Sequence, residues 1–372
     1  MTAADVQVPR NVLVTGASGL LGGAVADLLE AKGHKVRTFQ RSPGRPGRDS
    51  VAGSVADAEA AARAVAGMDA VIHLAAKVSF TGEWREFEET NIRGTRVLLA
   101  AARAEGVRDV VFVSSPSVAH FGEPIAGAGA GTADPARARG FYAASKAEAE
   151  LIALDQDSES FRVTAIRPHI VWGPGDTQLV ERVIDRARSG RLPLLDAGAA
   201  LIDTTYIDNA AAAIVRGLER MQAAHGRAVV VTNGQPRPVG ELIAGICAAA
   251  GVKAPGRSVP GSLARKAGTL IEKAWLAAGK RGLVHDEPPM TRFLAEQLST
   301  SHWFDQRETR EVLDWVPEVS IEEGMHRLAR HYGGTAAADP ASAPSRTAGL
   351  RSGSRSSAQA QPDRHDPPAG RA

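Results

Sequence analysis

One cysteine, Cys247, in 372 residues leaves no partner for an internal disulfide and fits a chain kept in a reducing compartment. Long apolar runs are also missing. No stretch of about 18 apolar residues occurs, so nothing reads as a membrane span. Neither sign of charge dominates: 44 Lys and Arg face 42 Asp and Glu, for a formal net charge of +2. That balance gives no reason to expect nucleic acid as a main partner. The ten histidines show no metal-ligand spacing with the lone cysteine, and no metal site is expected. The opening MTAADVQVPRNVLVTG lacks the charged, apolar, small-residue succession of a secretory leader, so a cytoplasmic location is expected.

What is present is alternation. Short β-branched runs (Val12 to Thr15, Lys35–Phe39, AVIHLAA, DVVFVSS, RVTAIRP) are separated by helical patterns at Gly22 to Ala31, before Gly67, from Glu83 to Glu105 and from Tyr142 to Asp155. Such alternation predicts an α/β fold, a Rossmann-type doubly wound parallel sheet over residues 1–175. Residues 176–332 are less regular and read as a smaller α/β substrate lobe. Residues 333–372 are nearly free of large apolar side chains, which predicts a disordered tail. Two stretches stand out. Residues 116–140 are a long Gly/Ala-rich connection, and within 255–290 Leu263, Ala267, Leu270, Ile271, Trp275 and Ala278 fall near helical spacing. The second reads either as a lid or membrane-surface helix, with peripheral membrane contact, or as a helix packed on its own domain.

TGASGLLG follows the first apolar run and opens a helix. Its backbone from Gly16 through Ser18, Gly19, Leu20, Leu21 and Gly22 is placed to meet a pyrophosphate at a helix N-terminus. About 20 residues on, a carboxylate would ordinarily bond the adenosine ribose. This chain carries Gln40 and Arg41 there. A carboxylate would repel a 2′-phosphate and a guanidinium would hold it, so NADPH (NADP+) is expected over NAD(H).

The stretch YAASK puts Tyr142 and Lys146 on one helical face, in a chain with only three tyrosines. A free phenol titrates near 10, and a neighbouring ammonium would lower it. Ser115 ends the strand VVFVSS, where a parallel sheet forms its ligand crevice. Together these predict proton transfer by Tyr142, with Lys146 holding the tyrosine and the cofactor ribose, and Ser115 on the substrate oxygen.

TGASGLLG, FVSSPSV, YAASK and RPHIVWGPGD together resemble the extended short-chain dehydrogenase/reductases, in the 3β-hydroxysteroid dehydrogenase/isomerase branch. Within it, DTTYIDNAA, TNGQPRP and PPMTRFLAEQLSTSHW are most similar to the 2-alkyl-3-oxoalkanoate reductases of bacterial long-chain olefin biosynthesis, a branch of lipid metabolism. The resemblance implies reduction of a long-chain 2-alkyl-3-oxoalkanoate to its 3-hydroxy acid, a homo-oligomer, and association with other olefin-pathway enzymes. It places Ala75, Pro168 and Ile170 beside the cofactor, and Ser54 where relatives carry an adenine-contacting acid. Ser117 and His169 are placed toward substrate, Tyr206 reads equally as pocket lining or as core, and Lys77 is the candidate for the substrate carboxylate, with Arg167 as its rival. Arg167 is read as a structural ion pair before a carboxylate ligand, His73 as a satisfied core histidine rather than a catalyst, and Asn91 as either a backbone holder or a surface residue. Alternatives are a 3β-hydroxysteroid or sterol 4α-carboxylate 3-dehydrogenase, a nucleotide-sugar epimerase or dehydratase, and a scaffold without turnover.

Overall fold

The computed structural model describes residues 9–79, 81–279 and 292–333. Seven short runs pair in parallel: β1 Asn11–Thr15, β2 Lys35–Gln40, β3 Asp49–Ala52, β4 Ala70–His73, β5 Asp109–Val113, β6 Arg162–Pro168 and β7 Ala228–Val231. Their spatial order is β7-β6-β5-β4-β1-β2-β3. Every residue of β5, DVVFV, is buried, as a central strand covered on both faces requires. The period-2 rule is visible in β1. Val12 and Val14 pack with Val25, Leu29 and Ile72 on one side, and Leu13 packs with Phe39 and Phe112 on the other. The chain leaves β1 toward β2 and returns to β4 on the opposite side, so the carboxyl ends of β1 and β4 part and open a crevice.

Three expectations change. The boundary at residue 175 does not divide the sheet, because β7 comes from the later segment and pairs with β6 along Ala228–Val231. The connection 116–140 contains a strand, Ile125–Ala128, which pairs in parallel with His302–Phe304 in a four-stranded sheet. Its partner lies far along the chain, beyond any local signal. The helix expected over 83–105 is three pieces: Trp84–Phe87, a π-helical turn at Glu88–Arg93, and Gly94–Glu105. Gly94 sits at the second junction, where an added Cβ would lie 2.6 Å from Val55 Cγ2.

Within 255–290, a helix spans Gly261–Gly279 as its spacing implied, with Leu263 and Leu270 exposed. Residues 280–290 lie outside the described residues, as does the C-terminal stretch from 334 that was read as a tail. Among the described residues, no helix is long and apolar enough to cross a membrane.

Helix α1, Leu20–Ala31, follows the glycine loop, and helix α2, Gly140–Asp155, carries YAASK. A buried ion pair fixes α2 on the sheet. Arg167 of β6 donates through Nε to Glu150 at 2.8 Å and through Nη2 to the second carboxylate oxygen, with both side chains 1% exposed. Nη1 donates to the carbonyls of Ala130 and Gly131, tying the 116–140 connection to the same point. Arg167 is thus structural. Arg167→Leu strands the Glu150 charge and is expected to lower unfolding free energy by about 3–5 kcal/mol, read by urea denaturation, with Arg167→Leu/Glu150→Leu recovering most of the loss.

Candidate active site

The glycine loop is built for close approach. Gly16 has φ +71°, and a Cβ there would lie 2.8 Å from the Ala75 amide nitrogen. At Gly22 a Cβ would lie 2.3 Å from the Gly16 carbonyl oxygen. Both positions therefore demand glycine. Ser18, Gly19 and Leu20 stay exposed at the start of α1, leaving backbone amides to face an anion. At the end of β2, Gln40 is 9% exposed, and its Nε2 donates to the Pro43 carbonyl. Its Oε1 is buried without a partner, an acceptor suited to a ribose hydroxyl. Arg45 donates to both carboxylate oxygens of Asp27 at 3.1 Å, and Arg48 spans Asp27 and Glu30. Arg41 stands exposed beside them. Ser54 has its hydroxyl on the Ala56 amide, shaping a turn. These residues fit a dinucleotide, whose nicotinamide would supply a hydride when bound.

Ser115 and Tyr142 line one cavity, and Lys146 lies one turn beyond Tyr142 on the same helix. Ser115 stands just past β5, its hydroxyl 2.9 Å from that of Ser117. Lys146, one turn along α2, is 3% exposed and donates to the Val113 carbonyl at 2.7 Å, with its ammonium 4.0 Å above the Phe112 ring. Burial pulls the lysine down to about 7, against the opposing charge of Glu150. One expectation is corrected: the tyrosine is not made more acidic. Burial pushes the Tyr142 phenol above its ordinary value near 10, Ser115 only partly opposes this, and the ammonium is turned to Val113. A phenol raised in this way stays protonated at neutral pH, the state a proton donor needs.

Tyr142 and Ser115 open onto a cavity of about 340 Å³. Its walls are apolar and drawn from distant segments: Leu179 and Val183 of helix α3 (Val180–Arg188 with its N-cap Leu179), Leu242 and Ile246 of helix α4 (Val239–Ala249), Trp172 and Met325. Among its lining residues are two guanidinium-bearing side chains, Arg182 and Arg186, one turn apart on α3.

Of the residues placed toward substrate, Ser117 and His169 line this cavity. His169 is 7% exposed, with its ring against His302 and Phe304, and burial keeps the imidazole neutral. Pro168 ends β6, and Ile170 lines the cavity with φ +43°, a strained conformation for a β-branched residue. Of the two readings of Tyr206 the core one holds, and Lys77 is corrected. Tyr206 is 2% exposed and stacks edge-on against Trp172, behind the wall. Lys77 is paired with Glu86 at 3.3 Å, lies over the Phe87 ring and does not line the cavity. Asn91 is buried and holds backbone, accepting from the Lys77 amide at 2.7 Å. The sequence reading missed Arg182, Arg186 and the α4 wall. Leu242 and Ile246 look like ordinary core in sequence, and nothing local separates a cavity-facing side from a core-facing one.

Residues 12–232 match the NAD dependent epimerase/dehydratase family. The chain is 40% identical over 327 residues to the 2-alkyl-3-oxoalkanoate reductase of Stenotrophomonas maltophilia, covering 86% of this chain and 98% of that one. It is 37% identical to the enzyme of the same name from Shewanella oneidensis, covering 88% of each. The solved structure of MoeE5 in complex with UDP-glucose and NAD superposes with TM-score 0.66 at 21% identity, covering 86% of this chain and 98% of MoeE5, a likeness of fold.

The buried lysine sets a pH dependence. Its folded value of about 7 lies below the ordinary 10.5, so between those values the folded protein holds fewer protons than the unfolded chain. Burying the lysine therefore costs most at low pH, and the cost fades as pH climbs through the window. The melting temperature of Lys146→Met, relative to the native chain, is expected to fall as pH rises from about 6 to about 9 in calorimetry. A flat difference would contradict the assignment.

Proposed function

This chain belongs to the NAD dependent epimerase/dehydratase family, and we propose that within it the protein is an NADPH-dependent reductase of long-chain 2-alkyl-3-oxoalkanoates. One observation carries the reading: the Tyr142 phenol and the Ser115 hydroxyl both line an apolar chamber of about 340 Å³. A branched fatty β-oxo acid needs such walls, whereas a nucleotide sugar needs polar ones.

Ser115 and Tyr142 bind the ketone oxygen. As carbon 3 receives hydride, Tyr142 gives its proton to the oxygen, and the C=O becomes CH–OH. Ser115 holds that oxygen in place throughout. Lys146, which donates to the Val113 carbonyl, would hold the cofactor ribose when a dinucleotide is bound. The preference for NADPH rests on the absence of a carboxylate at Gln40 and on Arg41, exposed while Arg45 and Arg48 are engaged by Asp27 and Glu30. For the substrate carboxylate Arg182 and Arg186 are the candidates in place of Lys77, because they line the cavity and Lys77 does not.

The dehydrogenase direction is the convenient assay, because free 3-oxo acids lose carbon dioxide. Purified protein given a 2-alkyl-3-hydroxyalkanoate should form NADPH from NADP+ faster than NADH from equal NAD+. Tyr142→Phe should cut the rate by about 100-fold or more, the size of a lost general acid-base group. Undiminished turnover by that variant removes the mechanism. Arg182→Gln should weaken kcat/KM for the acid by about tenfold or more while sparing its methyl ester, as loss of a charge-assisted contact implies. Equal losses on acid and ester would remove the carboxylate assignment alone.

A further inference from the structure

A buried hydrogen-bonded chain runs from the glycine loop to the catalytic helix, and the function described above uses only its ends. Thr15, at the end of β1, has its hydroxyl oxygen accepting from the amides of Leu74 at 3.1 Å and Ala75 at 2.9 Å. The same oxygen lies 2.8 Å from His73 Nδ1. His73 Nε2 lies 3.1 Å from the Thr95 hydroxyl, which donates to the Asn91 carbonyl at 2.6 Å. The Asn91 side chain accepts from the Lys77 amide at 2.7 Å and donates to Ser145 Oγ at 2.9 Å. Ser145 donates to the carbonyl of Tyr142 itself, also at 2.9 Å. Thr15, His73, Asn91, Thr95 and Ser145 are each no more than 1% exposed.

The polarity of this chain follows from counting protons. Thr15 accepts two amide hydrogens, so its single O–H is directed to His73 Nδ1. The imidazole must then carry its proton on Nε2 and donate to Thr95, whose own hydroxyl is directed to Asn91. The Asn91 carbonyl lies within the π-helical turn Glu88–Arg93, where backbone bonding departs from the i→i−4 ladder and a side-chain donor can complete it. Burial, with the nearby Lys146 charge, holds the His73 ring neutral down to about 3, so the donor order persists at every physiological pH.

We propose that His73 is a positioning residue that locks the floor of the phosphate loop and the turn carrying Asn91 into one register, so that nucleotide loop and Tyr142 are aligned together. Ala75 is the point of leverage. It lies under Gly16, where a Cβ would come within 2.8 Å of its amide nitrogen, and Thr15 fixes that amide. At the other end Asn91 fixes both Lys77 and the first turns of α2. A histidine serving only to fill space would not need both nitrogens engaged in a fixed order.

The inference rests on Tyr142 as the proton donor, and its test is chosen so that the two can fail separately. Thr95→Val keeps the side-chain shape and removes the link, whereas Thr95→Ser keeps the hydroxyl. Amide hydrogen exchange on the cofactor-free protein should quicken about tenfold at Leu74–Lys77 in Thr95→Val and return to the native rate in Thr95→Ser, the scale of one lost buried hydrogen bond. With NADP+ and the 3-hydroxy acid, kcat should fall about tenfold in the valine variant, with KM for the acid within twofold, and serine should restore it. Native exchange at Leu74–Lys77 in the valine variant overturns the proposal, as does faster exchange with unchanged kcat. If the native chain turns over no 3-hydroxy acid, the substrate reading falls and the exchange comparison alone decides the role of His73.

Discussion

The ammonium of Lys146 is buried, with the residue only 3% exposed. It is held by one carbonyl, that of Val113, and by the face of Phe112, both from the central strand of the sheet. Much of the surrounding architecture follows from keeping that charge tolerable. Four residues on along α2, Glu150 supplies the opposite sign and is itself neutralised by Arg167 from the neighbouring strand. The helix therefore cannot slide or roll without breaking three buried polar contacts. Tyr142 inherits its position from that restraint, because it lies one turn before the lysine on the same face.

The sheet and the placing of Ser115, Tyr142 and Lys146 at the ends of their elements were legible in the sequence because their signals are local. A β-branched run followed by glycines, then a helical period, is readable within about 20 residues, and so is a tyrosine four positions from a lysine. The substrate chamber was not legible. Its walls come from α3, α4, Trp172 and Met325, which meet only after the chain has folded, and each wall segment is indistinguishable from packed core. Lys77 illustrates the limit of position alone. It follows the end of β4 as a ligand residue would, yet Glu86 and Phe87 draw it away. The direction of the Tyr142 shift was likewise hidden. Sequence shows which groups are neighbours, but not how dry their surroundings are or which way an ammonium points.

The π-helical turn at Glu88–Arg93 shows a similar gap. In sequence, residues 83–105 read as one amphipathic helix. In the fold, one added residue per turn rotates Asn91 inward, where it is 1% exposed and bonds to both Lys77 and Ser145. Just after the turn, Gly94 lies so close to Val55 that an added Cβ would come within 2.6 Å of its Cγ2. Local period gave the element, and tertiary demand gave its distortion.

Ile170 holds a left-handed backbone that a branched side chain adopts only under compulsion. Such a hinge stores strain that the rest of the fold must contain, which makes that edge of the chamber the least free to drift. Divergence toward ligands of other size would then proceed by resizing Leu242, Ile243 and Ile246, which line the cavity from a regular helix. The molecule thus divides its labour: a rigid rim that sets where chemistry happens, and an adjustable back wall that sets what fits.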